Sequence, residues 1–348
     1  MPAQHQNIGW INNLRIVALF AVIVLHASAI LLAQYGKVPL QDWFAADVYN
    51  ALVRFAVPVF VMITGALLLH RDYDLGDFFR KRLGKIIAPF LFWSLVYIWY
   101  SWHIDEISFD KDIWTNIKQV LHLLKTGSSY HLWYVYMLIG LYLVIPVLSR
   151  FVKAATEKEL RYFILMWLLI MLVTQPYLSY LNPAVDERYF TGYIGYLVLG
   201  HYLAYHDFKA GITQRNMVVL FVLMVIIITT GTWCMYQINS PYGTFFYEPL
   251  NPFIVLLSSS AFLAARFGRP VLSPLIIRIR DFAGGFNYGI YLAHALLLYL
   301  LDDFLNVSYK LYNPFISIPV TALLCFGLTL LLVWLISKIP VAGRWISG

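Results

Sequence analysis

Asn12-Asn13-Leu14-Arg15-Ile16-Val17-Ala18-Leu19-Phe20-Ala21-Val22-Ile23-Val24-Leu25-His26 is the stretch whose reading decides the fold. It opens an apolar run long enough to cross a bilayer as a helix, yet it carries two basic groups. Positions 15 and 26 lie about three full turns apart at ~3.6 residues per turn, so both project from one face. A rise of ~1.5 Å per residue separates them by roughly 16 Å along the axis, so they do not touch. One sits at a membrane surface and the other well inside the hydrocarbon. Ionisable groups inside a bilayer are costly and mark function, so this face is expected to wall a pocket entered from the surface.

The rest of the chain has the same character. Its 348 residues are 61% hydrophobic and 12% charged, with a mean hydropathy of +0.70. Soluble domains carry about 25% charged residues, so this composition belongs to a membrane protein. Ten apolar runs approach the ~20 residues that a bilayer requires. They fall at about 14–33, 48–69, 85–101, 131–150, 161–181, 190–206, 216–236, 250–267, 284–304 and 314–337. Continuous runs of this length exclude a β-barrel. The expected fold is all-α: a polytopic membrane bundle of about ten transmembrane helices, forming one domain over residues 1–348. The longest connection, 102–130, is polar with several aromatics. Cys234 and Cys325 lie in apolar helical stretches without disulfide or metal spacing, and are expected to be small buried hydrophobes.

Orientation follows from Lys and Arg. One set of loops holds most of the 25 basic residues, including Arg71, Arg80, Lys81, Arg82 and Lys85. The opposite set is acidic, with Asp42, Asp47, Asp105, Glu106, Asp302 and Asp303 among its residues. The bias places both termini in the cytoplasm and Arg15 at the cytoplasmic mouth. The formal charge of +7 then reflects topology and anion binding, with no nucleic-acid footprint. Ala27-Ser28-Ala29 resembles a signal cleavage site, but a cut there would remove the Arg15–His26 face.

Several side chains suit chemistry. The His26 imidazole can take a proton from a hydroxyl or briefly carry an acyl group, or else bond a neighbouring carbonyl as a buried neutral ring. Arg15 either snorkels to lipid phosphates or grips a ligand phosphate bidentately. Asn12 or Asn13 is expected to cap its helix. Lys81, Arg82 and Lys85 fall on neighbouring turns at the start of the third span, where cations anchor topology or hold phosphates. Tyr130-His131-Leu132-Trp133-Tyr134 opens the fourth span as an interfacial aromatic belt, or with His131 and Trp133 meeting a substrate. Asn287, Tyr291 and His294 share one face of the ninth span, where they line a polar cavity or act as interhelical glue. No histidine set has ligand spacing, and no HExxH, CxxC, P-loop or GxSxG occurs, so no metal is expected.

These motifs resemble acyltransferase family 3 membrane proteins over almost the whole chain. Asn13-Leu14-Arg15 with His26 is similar to that family's Arg-x10-His signature. Pro58 through Gly65 resembles its second-helix segment. Lys81-Arg82-Leu83-Gly84-Lys85-Ile86 resembles its basic stretch. Tyr130–Tyr134 and Tyr288–His294 resemble two further blocks. Three positions depart from the pattern: Asn12 stands where an Asp is usual, Thr64 where a Ser is usual, and Lys85 where an Arg is usual.

The resemblance implies the short form of the family, the form of the enterobacterial common antigen O-acetyltransferase, in a bacterial inner membrane. It implies acetyl-CoA as donor, entering from the cytoplasm with its phosphates among Arg15, Lys81, Arg82 and Lys85. His26 would act as general base or transient acyl carrier, supported by His294. His131, Trp133, Tyr291 and Asn287 would face the acceptor, a hydroxyl of a surface polysaccharide or lipid-linked sugar. Two rival readings remain at this stage: a transporter or export component for such a sugar, and a non-catalytic assembly partner.

Overall fold

A computed structural model describes residues 9–177, 192–208, 211–340 and 343–347. Every regular element among them is helical. In chain order these are α1 (Gly9–Leu32), α2 (Leu40–Val53), α3 (Ala56–Leu68), α4 (Leu75–His103), α5 (Ile113–Thr126), α6 (Trp133–Ala154) and α7 (Glu157–Val173). Then follow α8 (Ile194–Tyr205), α9 (Gln214–Gln237), a 3-10 turn (Phe245–Tyr247), α10 (Pro252–Phe267), α11 (Pro274–Gly284), α12 (Asn287–Leu305), α13 (Pro314–Ser337) and α14 (Gly343–Ile346).

The chain is a multi-pass membrane protein, and its described residues include eight helical segments long and apolar enough to cross a bilayer. They match eight of the ten expected runs. The other two fall on α7, with 17 residues, and α8, with 12. At ~1.5 Å per residue α8 is only about 18 Å long, well short of a ~30 Å hydrocarbon core. Residues 178–191, which separate them, lie outside the described set.

The run expected at 48–69 begins earlier and is interrupted. It consists of α2 and α3, joined by a turn at Arg54 and Phe55. Asp47 is therefore fully buried inside α2 and does not belong to an outer loop. The polar connections also hold unexpected helices. Asp112 caps α5, accepting from the backbone N–H of Thr115 at 2.9 Å, and Gly127 ends it at φ 107°. The helix α11 is amphipathic, with Leu275, Ile276, Ile279 and Phe282 exposed beside Arg278. Cys325 is buried as expected, but Cys234 is exposed on α9. A membrane helix turns one face to lipid, so an apolar setting does not ensure burial within the protein.

The helices group into two compact units. The first comprises Met1–Asp72, Val147–Gly284 and Asn306–Leu323, and the second Tyr73–Pro146, Gly285–Leu305 and Leu324–Gly348. In the first unit α1 packs on α2, α3, α10 and α11, while α3 packs closely on α8. The α3–α8 contact runs backbone to backbone. A Cβ on Gly65 would strike the main chain of Leu197, and one on Gly200 would strike the main chain of Met62. Small residues permit such approach in lipid, where dispersion and not water exclusion holds helices together. In the second unit α4 packs on α5, α12 and α14. Trp93 donates to the Ile346 carbonyl at 3.3 Å, fixing α14 against α4.

Two expectations follow. Gly200→Leu should destabilise the protein by on the order of 1–3 kcal/mol or more by overpacking. Gly140→Ala, whose Cβ would enter open space, should be neutral or mildly stabilising. Thermal unfolding of both variants in detergent separates the cases. The second expectation concerns α5. The Thr115 hydroxyl, with the Thr115 and Trp114 amides, holds the Asp112 carboxyl below its ordinary value of 3.8. A depressed carboxylate stabilises the fold above its unfolded pKa, and that contribution disappears as pH falls through the folded value. Hydrogen-exchange protection at the start of α5 should therefore be flat above the ordinary value and decline on acidification below it.

Candidate functional site

The described residues are already helical at Gly9, so Asn12 and Asn13 lie within α1 and neither caps it. Asn13 instead serves the site: its Oδ1 accepts from Arg280 Nη1 at 2.9 Å. Arg280 comes from α11, and its Nε and Nη2 reach Asp281 Oδ1 at 2.8 and 2.7 Å. The Arg280 side chain is 16% exposed and held from two sides. Asn12, Arg15, Arg280, Asp281 and Gly284 line one cavity of about 290 Å³. Two guanidiniums against one carboxylate, itself paired to Arg280, leave this pocket cationic. Such a pocket suits a phosphate or carboxylate. Sequence reading counted Arg280 only as a topological charge. Its partner Asn13 was visible, but the pairing needs the fold of α11 against α1.

His26 is half-buried on the same helix. On the face between it and Arg15 lie Leu19, Val22 and Ile23, all buried. The Arg15 cavity is not lined by His26. The polar face therefore consists of two polar ends with an apolar middle.

The opposite face of α1 joins a buried polar chain. Ser28 Oγ donates to the Val24 carbonyl at 2.9 Å, and Asn50 Nδ2 donates to Ser28 Oγ at 2.6 Å. Arg54 Nη2 donates to Asn50 Oδ1 at 2.8 Å, and its guanidinium lies 4.4 Å from the centre of the Tyr247 ring. The Tyr247 hydroxyl donates to the Asp47 carboxylate. Asp47, Asn50 and Arg54, at i, i+3 and i+7, already share a helical face in the sequence. They were missed because charges at the edge of an apolar run resemble loop residues.

In the second unit the structure brings together His131, Tyr291 and His294, with Tyr97 added. The His131 and His294 ring centroids are 5.0 Å apart, and Tyr97 stands edge-on to His131 at 5.1 Å. His131 is 1% exposed, so it is not a surface group. Its Nε2 lies 3.2 Å from the Leu292 carbonyl, which only accepts, so Nε2 carries the proton. In the neutral ring Nδ1 then accepts from Ser129 Oγ at 3.1 Å. By the same argument His294 donates from Nδ1 to the Tyr291 carbonyl at 2.6 Å, leaving Nε2 as the basic nitrogen of a neutral ring. The Tyr291 hydroxyl donates to the His131 carbonyl, and Cys325 Sγ donates to the His294 carbonyl at 3.4 Å.

Tyr97 does more than pack. Its hydroxyl donates to the Leu292 carbonyl at 2.8 Å and accepts from the Leu296 N–H at 3.0 Å. The hydroxyl thus bridges two backbone groups one turn apart on α12.

The remaining predicted residues are placed as follows. Trp133 is exposed, and its neighbour Tyr134 is the residue that packs on Tyr291, with ring centroids 5.0 Å apart. Successive helical residues point about 100° apart, which separates the two. Asn287 opens α12 with its Oδ1 buried and lacking a partner among the described residues. On α4, Lys81 is exposed and pairs with Asp77 at 3.0 Å, Arg82 is half-buried and Lys85 is exposed. Among the described residues no group of three His, Cys, Asp or Glu is placed to hold a metal.

An acyltransferase domain profile matches residues 8–338, nearly the whole chain. The chain belongs to acyltransferase family 3. It is also 24% identical over 231 residues to YfiQ of Bacillus subtilis (strain 168), a protein that carries the name of a membrane-bound acyltransferase. That similarity spans 59% of this chain and 59% of the relative. No solved structure matches the chain. Within this family, the α1 motif of Arg15 and His26 falls in the matched region, as do Lys81–Lys85 and the buried His131–His294 cluster.

Tyr97→Phe should deprive the Leu296 amide of the hydroxyl it donates to, while the Leu292 carbonyl keeps His131 Nε2. A buried backbone group left unsatisfied costs about 1–3 kcal/mol. Lowered thermal stability in detergent, with faster exchange at the Leu296 amide, is the expected result.

Proposed function

We propose that this family 3 protein is a membrane O-acyltransferase that moves an acetyl group from acetyl-CoA to a hydroxyl of a surface polysaccharide or lipid-linked sugar. The observation that carries the reading is the cationic cavity at the start of α1, where Arg15 and Arg280 converge in a chain of this family. A CoA carries several phosphates, and a pocket with two guanidiniums fits one of them by charge and by planar hydrogen bonding. Positive loops assign that end of α1 to the cytoplasm, where acyl-CoA is found.

In this reading Arg15 and Arg280 hold a donor phosphate. Asn13 and Asp281 act as positioning residues for Arg280. His26 takes the proton of the attacking hydroxyl, which adds to the thioester carbonyl. The tetrahedral intermediate collapses with release of the CoA thiolate, which accepts a proton. If His26 first carries the acetyl group, the same proton balance is spread over two steps. His294 presents the basic Nε2 of its imidazole, and His131, Tyr291 and Asn287 set the polar environment around it on the acceptor side. Lys81, Arg82 and Lys85 add positive charge for the donor. The transporter reading is not favoured by the family, since a carrier has no use for an acyl-CoA site.

Acetyl-CoA titrated into the purified protein by calorimetry is the test. Arg15→Gln and Arg280→Gln should each weaken binding by about 10- to 100-fold, the loss of a charge-assisted contact of about 1.5–3 kcal/mol. His26→Ala should retain binding and abolish transfer to the glycan. Absence of acetyl-CoA binding by the wild-type protein, or full transfer by His26→Ala, would refute the assignment.

A further inference from the structure

The face of α1 turned away from Arg15 borders a groove of about 340 Å³. Trp10 and Val17 from α1 form one wall and Val218 and Phe221 from α9 the other, over a floor that includes Ala261 and Ala264 of α10. The small floor residues keep the groove open, and Phe55 also lines it. Val17 is 53% and Val218 45% exposed, so the groove opens sideways from the helix bundle, where a membrane protein meets lipid tails.

At its Trp10 end the groove adjoins a larger cavity of about 630 Å³, with which it shares Trp10, Asn13, Gly268 and Pro270. Arg266, Arg269 and Arg280 line this second cavity, and no carboxylate is among its lining residues. Arg266 is fixed by donating through Nη1 to the Leu203 and His206 carbonyls at 2.6 and 2.8 Å. Arg280 is fixed by Asn13 and Asp281. Arg269 is exposed where it lines the cavity. The neighbouring α11, with its exposed Leu275, Ile276 and Ile279 beside Arg278, has the character of a helix lying in a bilayer interface. A cationic rim at the interface with an apolar groove running inward from it matches a molecule whose anion and alkyl chain are joined.

We propose that this composite cavity binds one anionic glycerophospholipid, with its phosphodiester at Arg269 between the fixed charges of Arg266 and Arg280 and one acyl chain in the groove toward Phe55. The sideways opening commits the site to a ligand delivered by the bilayer, and basic pockets between membrane helices recognise lipid headgroups in this way. The lipid then packs behind the helix that carries Arg15 and His26. The site shares Arg280 with the proposed donor pocket, but lipid retention at Arg269 and in the groove is read without any acyl transfer.

The test is native mass spectrometry of the detergent-purified protein with added dioleoyl phosphatidylglycerol or dioleoyl phosphatidylcholine. The wild-type protein should retain one phosphatidylglycerol in preference to phosphatidylcholine. Arg269→Gln should weaken phosphatidylglycerol retention by about fivefold, the effect of one guanidinium at a membrane surface, and leave phosphatidylcholine unchanged. A phosphatidylglycerol with a photoreactive acyl chain should crosslink to the Val17 and Val218–Phe221 segments, which tests the groove without altering it. Equal retention of both lipids by the wild type, no effect of Arg269→Gln, or crosslinks confined to other helices would overturn the proposal.

Discussion

Inside hydrocarbon a polar atom has no water to turn to, so the protein itself must supply every partner. That constraint explains more of this molecule than any single contact. It makes the described residues helical wherever they are ordered into elements. It also favours connected sets of polar side chains within the spans. Ser28, Asn50, Arg54, Tyr247 and Asp47 form one chain in the first unit, and His131, Tyr97, Tyr291 and His294 form another in the second. Neither set is a surface feature that drifted inward. Each polar contact is made to a neighbouring side chain or to a backbone group of a packed helix.

Much of the fold was legible because runs of about 20 apolar residues have few alternatives in a membrane. The runs fixed where helices exist, and the 3.6-residue period placed Asn287, Tyr291 and His294 on one face. Legibility failed where length and hydropathy cease to discriminate. The helices α5 and α11 are short and amphipathic, and their charged residues made them look like loops. Pro58, in the first turn of α3, cannot pair with the Arg54 carbonyl four residues back, a break that hydropathy alone passes over, so α2 and α3 were read as one run with its start misplaced. Cys234 shows the complementary limit: hydropathy places a residue in the membrane but does not say whether it faces protein or lipid.

The candidate site was legible in its members more than in its pairings. Arg15 was singled out by alignment with His26, but Arg280 lies 265 positions further along the chain and meets Arg15 only through the seating of α11 against α1. His131 and His294 were both noticed, yet their 5.0 Å separation depends on α4, α6 and α12 coming together around Tyr97. Trp133 was expected to face the acceptor, but Tyr134 is the ring that packs inward on Tyr291, which only the turn of the helix shows. Pattern reading finds residues that are unusual for their surroundings. Tertiary packing then decides which of them share a space.

The Tyr97 hydroxyl works as a pin through two helices. Because it contacts both the Leu292 carbonyl and the Leu296 amide, α4 cannot glide along α12 by even one residue without losing both bonds at once. Interfaces built only of methyl groups tolerate several near-equal registers, and this one has a single index mark. The two imidazoles seated beside it therefore inherit a fixed height in the membrane from a side chain that need never meet a substrate.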